Sequence, residues 1–181
     1  MFFLHVLHAG ALELPDTATD GQIQNHTCEV LTDSNFQLLA DYDATIYPVD
    51  RSKMLQVFLN HPPVRETLIA VATDGNCVGY ICIRKTADEF AMICPLVADN
   101  DAIADLLLRQ AVVRKRLVGR AAEVYIPDVN SAAARQLFAK YGIAKQSTVE
   151  TVMCTKADEA RRITVPWRKM YGVFFNNWTF L

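Results

Sequence analysis

Three short apolar runs follow one another near the middle of the chain, and their spacing constrains the fold more than any other feature. Residues 68–72 and 77–84 flank the turn sequence Asp74-Gly75-Asn76, and a third run, residues 90–94, stops at Pro95. Two β-type runs around an Asp-Gly turn are a strong short-range signal for a hairpin. The sequence therefore predicts a three-stranded antiparallel meander.

Helix and strand signals on both sides extend this meander into a larger sheet. The further elements predicted are a strand near 28–32, helices near 35–42 and 52–59, a long helix capped by Asn100, a strand at 122–127, a helix opened by Asn130, a strand at 148–154 and a closing strand near 171–175. A meander followed by strand-helix-strand requires a mixed sheet covered by helices. The predicted class is α/β (α+β), with a mostly antiparallel sheet.

Composition and charge narrow the classes of function. The 181 residues are 51% hydrophobic with a net charge of −2, which predicts a folded domain with a sizeable core rather than a disordered chain. Residues 1–100 contain thirteen acidic and five basic side chains, whereas residues 101–181 contain seven and thirteen. A basic half suits a phosphorylated cofactor, or it faces the acidic half. Because the whole chain is slightly acidic, no nucleic-acid partner is predicted.

The cysteines, the histidines and the apolar N-terminal run indicate the cellular compartment and whether a membrane or a metal is involved. Five cysteines without a C-x-x-C pair indicate a reducing compartment, and the four histidines form no metal-ligand pattern with them. The apolar run at residues 2–7 is too short to span a membrane and lacks a basic flank, so it is an extra strand or a loosely held arm. We therefore expect a cytoplasmic protein without membrane or metal, in which residues 1–26 are an N-terminal arm or linker and residues 27–181 form one domain.

A segment of the C-terminal half resembles a known family. Residues 127–143 run Pro-Asp-Val-Asn, then a helix of small and apolar residues with Phe138, and then Tyr-Gly-Ile. This is similar to the strand-to-helix segment of the GNAT family of acyl-CoA-dependent N-acetyltransferases. Weaker matches occur in the same order at Tyr42-Asp43, Asp50-Arg51, Gly79-Tyr80 with Arg84, residues 95–99 and residues 152–155. Together they cover residues 28–175 and resemble the divergent module often found as the second domain of tandem GNAT proteins.

The resemblance implies a site for acetyl-CoA. In this family two parallel strands splay apart and the acyl-CoA arm enters the gap, which is expected here near Cys94 and Tyr125. Pro95 suits such an interruption because it donates no backbone hydrogen bond. The pantetheine is then expected along peptide groups left unpaired just past Pro95. The cofactor-binding residues that the resemblance implies are Leu96, Val97, Ala98, Ala102, Ile103, Ala104, Asn130 and Phe138.

Two features of the sequence depart from the family pattern at the diphosphate loop. Ala102 and Ala104 stand where glycines are expected, and bare backbone amides are what lets such a loop approach a phosphate closely. Asp99 and Asp101 add negative charge where the diphosphate lies in the family, although carboxylates there also stabilise a helix N-terminus. We therefore expect weakened binding of CoA, unless basic residues such as Arg109 and Arg114 compensate.

The catalytic residues depart from the pattern as well. Transfer from a thioester to an amine needs a base for the amine and an acid for the departing thiolate. Phe138 stands where many members have a proton-donating tyrosine, and Tyr141 follows three positions later, about 300° around a helix. The residues predicted as catalytic are therefore Asp128, as base, and Tyr141. Glu89 and Glu123 are the alternative bases, and water is the alternative for either role.

The acceptor site is predicted from the segment that roofs it in the family. Asp43, Asp50, Arg51 and Arg84 are the predicted substrate-binding residues, since an Asp-Arg pair recognises an amine or a carboxylate; the alternative is an ion pair that anchors the helices.

Three readings of function stay open. One is acetyl transfer from acetyl-CoA to a small amine, the second is a catalytically weak or inactive GNAT-like module that binds a small ligand or a protein partner, and the third is an unrelated α/β binding domain. A homodimer or a second GNAT domain is the expected protein partner.

Overall fold

A computed structural model describes residues 2–15, 25–47, 49–59, 64–85, 90–127, 130–152 and 166–173. These residues form β1 (Phe2–Ala9), β2 (His26–Val30), α1 (Phe36–Ile46), α2 (Ser52–Leu59), β3 (Val64–Ala72), β4 (Cys77–Lys85), β5 (Ala91–Ala98), α3 (Asp101–Arg114), β6 (Ala122–Pro127), α4 (Ser131–Ala139), β7 (Lys145–Val152) and β8 (Met170–Gly172). None of the helices in these ranges is both long and apolar enough to cross a membrane.

The meander is confirmed. Strands β3, β4 and β5 pair antiparallel in succession, and Gly75 closes the first turn with a φ of 85°. Glycine adopts this left-handed conformation without the steric cost that a Cβ brings. The Asp74 carboxylate accepts a hydrogen bond of 3.0 Å from the Asn76 amide, which fixes the tip of the hairpin.

The strands form one mixed sheet in the order β2-β3-β4-β5-β6-β1-β7, and β8 pairs with β5 off this path. Only β5 and β6 run parallel; the other described pairs are antiparallel. The predicted fold class is therefore confirmed.

The core has two layers because alternate residues of a strand face opposite sides of the sheet. Leu68 and Ala70 of β3 join one apolar cluster with residues of α3 and α4. Ile69 and Val71 join a second cluster with residues of α1 and α2. The helices thus lie in pairs on the two faces of the sheet.

Strand β1 lies inside the sheet, antiparallel to β6 on one side and to β7 on the other. Val6 pairs with Tyr125 of β6 and with Thr148 of β7. Of the two alternatives for residues 2–7, the structure has the extra strand rather than the loose arm. The boundary at residue 27 stays a prediction.

Several predicted element boundaries were wrong. Strand β5 does not stop at Pro95: it continues to Ala98 through a cis Cys94–Pro95 bond. Helix α1 runs on to Ile46, and β7 begins three residues earlier than expected, at Lys145. The N-cap residue of α1 is Asn35, and its side chain makes no capping bond to the helix. Its amide oxygen instead accepts from the Thr32 amide at 2.7 Å, which turns the chain out of the preceding loop.

Candidate active site

The gap between β5 and β6 is present where the sequence predicted it. The two strands pair in parallel only from Ala91 opposite Ala122 to Ile93 opposite Val124. Beyond Ile93 they diverge, and α3 begins soon after the end of β5. Its cap is Asn100, whose side chain accepts a hydrogen bond of 3.0 Å from the Ile103 amide. A splayed strand pair beside a helix N-terminus is thus formed.

The gap is filled by the chain's own strand β8. Gly172 pairs with Leu96 and Met170 pairs with Val97, and the Val173 amide donates a hydrogen bond of 2.8 Å to the Tyr125 carbonyl. The expectation that the peptide groups past Pro95 are left unpaired was therefore wrong. Leu96 and Val97 are fully buried, and buried backbone groups need partners. Beyond Ile93, β6 no longer pairs with β5, and β8 pairs with Leu96 and Val97 instead.

Gly172 fits this gap because it has no side chain. A Cβ built there would lie 3.1 Å from Cγ2 of Val124 and 3.4 Å from both the Ile93 carbonyl oxygen and the Leu96 nitrogen. Two of these three atoms belong to backbone that is held in the sheet. The contact with Val124 is tight, so a Cβ at position 172 requires Val124 or β8 to shift by a few tenths of an ångström. A larger side chain such as valine requires a larger shift.

The two carboxylates that depart from the family pattern hold the segment around β8. The Lys169 ammonium lies 2.7 Å from Oδ1 of Asp99, and the Tyr171 hydroxyl donates to Asp101. Burial and the hydrogen bond to Asp101 raise the pKa of Tyr171 well above its usual value, so this phenol stays a donor at neutral pH. Tyr42 of α1 completes the group, since its hydroxyl donates to Asp99 at 3.0 Å and its ring lies 5.6 Å from the Lys169 nitrogen.

The side chain of Asn130 also binds the segment around β8. Its side-chain amide donates to the carbonyl of Met170 at 3.0 Å and to that of Arg168 at 3.3 Å. Asn130 is the N-cap residue of α4, as predicted, but its side chain makes no capping bond to that helix. The residue expected at the amide end of a cofactor is thus engaged with backbone of the chain itself.

A cavity of about 730 Å³ lies at the N-terminus of α3. It is lined by Asn25, His26, Asp99, Asn100, Asp101, Ala102, Ile103, Arg168 and Tyr171. The lining contains two carboxylates where the family binds a diphosphate, and β8 occupies the path of the pantetheine arm. The residues in this arrangement do not fit acyl-CoA. Among the described residues, no three His, Cys, Asp or Glu side chains form a group that suits a metal ion.

Phe138 of α4 and Tyr141, which follows the end of that helix, lie in the core. Phe138 and Tyr141 are both fully buried. The Tyr141 hydroxyl donates to Oδ1 of Asp105 at 3.1 Å, and burial raises the pKa of this phenol. Neither residue lines the cavity at α3. Asp128 and Glu89 lie outside the described residues.

The predicted acceptor residues separate into a pair and two single residues. Arg51 binds Asp43 through two hydrogen bonds, of 2.6 and 3.0 Å, and the Tyr80 hydroxyl donates to the same carboxylate at 2.7 Å. The guanidinium also lies 3.1 Å from the centre of the Tyr47 ring. Burial opposes the charge of Arg51, but the bonds to Asp43 outweigh it, so the pKa of the guanidinium is raised. This geometry favours the ion pair that anchors the helices.

Asp50 and Arg84 are held elsewhere. The exposed Asp50 carboxylate accepts a hydrogen bond of 2.9 Å from the Ser52 amide at the start of α2, and that bond lowers its pKa. The Arg84 guanidinium lies 4.3 Å from the centre of the Phe58 ring. The structure therefore brings Asp43 and Arg51 together with Tyr80, and places Asp50 and Arg84 at separate contacts.

Sequence reasoning missed Lys169, Tyr171 and Gly172. One signal was available, because Asp99 and Asp101 stand two residues apart and so do Lys169 and Tyr171. The equal spacing allows Lys169 to bind Asp99 while Tyr171 binds Asp101, as the structure has them.

Comparisons with known proteins agree with this geometry. The family model of the acetyltransferase (GNAT) domain matches residues 39–172. No curated protein matches the chain in sequence. Among solved structures, a putative acetyltransferase from Pyrococcus horikoshii is similar at a TM-score of 0.56 and 19% identity, over 95% of this chain and 50% of that one. A GCN5-related N-acetyltransferase from Sphaerobacter thermophilus is similar at a TM-score of 0.56 and 19% identity, over 82% of this chain and 49% of that one. This chain thus spans about half the length of these two structures.

Proposed function

Because the chain belongs to the acetyltransferase (GNAT) family, we propose that it transfers an acetyl group directly from acetyl-CoA to a small amine when β8 has left the gap. One observation carries this proposal. Strands β5 and β6 pair for three residues and then diverge at the N-terminus of a capped helix, α3. That divergence is the feature through which the family admits its acyl donor.

The proposal requires two states because β8 and an acyl donor need the same backbone groups. Leu96 and Val97 pair with β8 in the closed state, and Asn130 donates to its carbonyls. When β8 leaves, these backbone groups and the Asn130 side chain become free to bind an acyl donor. Its departure also separates Lys169 from Asp99 and Tyr171 from Asp101.

The small-amine acceptor is proposed to bind beside α1 and α2, the segment that roofs the acceptor site in the family. Asp99 is not assigned to the acceptor, because it stands where the family binds the diphosphate, and the pantetheine arm separates that group from the acetyl thioester. Asp43 and Arg51 are proposed to shape the same region by fixing α1 and α2.

The proposed base is Asp128, which follows β6 directly in sequence. Tyr141 acts as the acid only if its hydroxyl leaves Asp105, which it binds in the closed state. Water is the simpler proton source, since a thiolate is a fair leaving group.

Location and assembly complete the proposal. The described cysteines, Cys28, Cys77, Cys82 and Cys94, are free thiols, which supports a cytoplasmic location. The similar structures are about twice as long as this chain, which supports a second domain as partner.

The test compares acetyl-CoA binding by two variants of equal size. Gly172→Val pushes β8 out of the gap, whereas Gly10→Val adds the same atoms where nothing lies within 4 Å. We expect calorimetry to show tighter acetyl-CoA binding by Gly172→Val than by Gly10→Val, with release of free thiol when an amine is added. No binding to the Gly172→Val variant at about millimolar acetyl-CoA, a free energy near −4 kcal/mol, contradicts the proposal.

The occupied gap favours a second candidate function, a non-catalytic module. In that case β8 stays in place, and the domain serves as a binding partner rather than as an enzyme. The same experiment separates the two, because a Gly172→Val variant that stays folded, exposes the gap and still ignores acetyl-CoA supports the module.

A further inference from the structure

The gap recognises β8 through side chains as well as backbone. Lys169 and Tyr171 stand two residues apart. Lys169 binds Asp99, just before α3, and Tyr171 binds Asp101, the first residue of α3. Asn100 already caps α3 with its side chain. Asp99 is therefore not required as a cap, and its partners in the structure are Lys169 and Tyr42.

The backbone of β8 is bound as an added strand. Gly172 and Met170 pair with β5, the Val173 amide bonds to β6, and Asn130 binds two carbonyls. Such contacts accept any extended peptide, and side-chain pockets then select among sequences. Here the selection comes from a carboxylate for a lysine, a carboxylate for a tyrosine hydroxyl, and a close fit at Gly172 that disfavours large side chains.

We propose that the gap between β5 and β6 is a binding site for an extended peptide of the pattern Lys-x-Tyr-Gly, with β8 as its displaceable occupant. The inference goes beyond acetyl transfer and does not rest on it. Strand β8 contributes three residues to the sheet, whereas β5 contributes eight. Met170 and Tyr171 of β8 are buried, whereas the preceding Lys169 and its partner Asp99 are 23% and 38% exposed, and exposed ion pairs are weak. The same peptide supplied by another chain therefore competes with β8.

The test is a binding titration without acetyl-CoA. A fluorescent peptide of residues 166–173 is added to the full-length chain, to Gly172→Val and to Gly10→Val, and anisotropy is recorded. We expect Gly172→Val to bind the peptide at least about tenfold more tightly than Gly10→Val, because only the former has lost its internal competitor. Equal affinity of the two variants overturns the proposal.

Peptide variants test the selection. Replacing the peptide's lysine by glutamate puts like charges together at Asp99, and we expect affinity for Gly172→Val to fall about tenfold, the size of effect usual for a bond to a charged group. A scrambled peptide of the same composition is expected to bind no better than the glutamate peptide. Equal binding of the native and scrambled peptides overturns the proposal.

A second chain variant covers the case in which Gly172→Val does not fold. Lys169→Glu changes a partly exposed side chain and sets a second carboxylate against Asp99, which weakens the attachment of β8 by repulsion. The native peptide must then bind Lys169→Glu more tightly than the unmodified chain, and failure to do so overturns the proposal. Because acetyl-CoA is absent throughout, failure here leaves acetyl transfer intact, and failure of acetyl-CoA binding leaves the peptide site intact.

Discussion

Two aspartates of this domain have the same kinds of partner and differ in their surroundings. Asp43 binds a basic side chain, Arg51, and a tyrosine hydroxyl, that of Tyr80. Asp99 likewise binds a lysine and the hydroxyl of Tyr42. The side chains of Asp43 and Arg51 are 1% and 5% exposed, whereas those of Asp99 and Lys169 are 38% and 23% exposed.

The difference in burial gives the two groups different roles. Breaking a buried ion pair leaves a desolvated charge without its partner, which is costly, whereas water replaces a partner at the surface. The Asp43 group therefore fixes α1 to β4 permanently. The Asp99 group holds the segment that we propose leaves the gap. Four predictions test this contrast, from the largest expected effect to the smallest.

The largest effect is expected for Asp43→Ala. Arg51 then stays buried without its carboxylate, and its Nη1 atom already has no hydrogen-bond partner among the described residues. We expect the free energy of unfolding to fall by about 3–5 kcal/mol in urea titrations at neutral pH. The double variant Asp43→Ala with Arg51→Met, which removes both charges, is expected to recover part of the loss. A loss below about 1 kcal/mol shows that the pair is not truly desolvated.

Alkaline pH is expected to weaken the side of the sheet that contains the Asp43 group. Burial raises the pKa of Cys82 from 9.0 to about 12 and that of Tyr47 from 10.0 to about 12. Both groups lose protons more readily in the unfolded chain, so their stabilisation is complete below pH 9 and declines as the pH rises towards 12. Each group removes up to about 1.4 kcal/mol per pH unit in that window.

The measurement is the urea midpoint at pH 8 and at pH 10.5. Tyr80→Phe serves as the control, since the pKa of Tyr80 is also raised by burial and phenylalanine does not ionise. The variant is expected to show a smaller decline than the unmodified chain. A midpoint independent of pH contradicts the prediction.

Lys169→Ala is expected to loosen β8 with little loss of stability, because Met170, Tyr171 and Val173 stay buried in the core. The ion pair with Asp99 is partly exposed, so the free energy of unfolding changes by about 1 kcal/mol or less. Hydrogen exchange at the Val173 amide, which bonds to Tyr125, is expected to become faster. Lys169→Arg keeps the charge and serves as the control with slow exchange. A loss of about 3 kcal/mol in the Lys169→Ala variant instead places this pair in the same class as Asp43 and Arg51.

The smallest effect is expected for Asp41→Ala. Asp41 lies two positions before Asp43 on α1, but it is exposed and accepts one hydrogen bond of 2.7 Å, from Gln37. Losing this bond costs about 0.3 kcal/mol, and the higher helix propensity of alanine offsets it. We expect an unfolding free energy within error of the unmodified chain, which makes this variant the matched control for Asp43→Ala.

Local signals in the sequence were sufficient for most of the fold. The Asp-Gly turn between β3 and β4, the cap at Asn100 and the break at Pro95 depend on residues within a few positions of one another. The turn and the cap each predicted their element. Pro95 does not end β5, but it marked the divergence of β5 and β6. The sequence also showed that Asp99 and Asp101 depart from the family pattern, but it did not predict that they bind Lys169 and Tyr171.

The occupied gap was not predictable from local signals. Lys169 and Asp99 are separated by 70 positions, and so are Tyr171 and Asp101. Three-residue strands have too little periodicity to be placed, and several exposed edges compete for them. The side-chain contacts of Asn130 show the same limit, since helix capping and a contact with a distant carbonyl use the same residue type.

The position of β1 has a consequence for how the chain folds. Ala9 pairs with Ala122, and Phe2 pairs with Val152, so β1 is synthesised long before either of its neighbours. Contacts that distant in sequence form late, because a long loop must close first. Until β1 docks, β6 and β7 expose unpaired edges that invite association with other chains. Of the described strands, the one made first therefore covers an edge of each of two strands that are made much later.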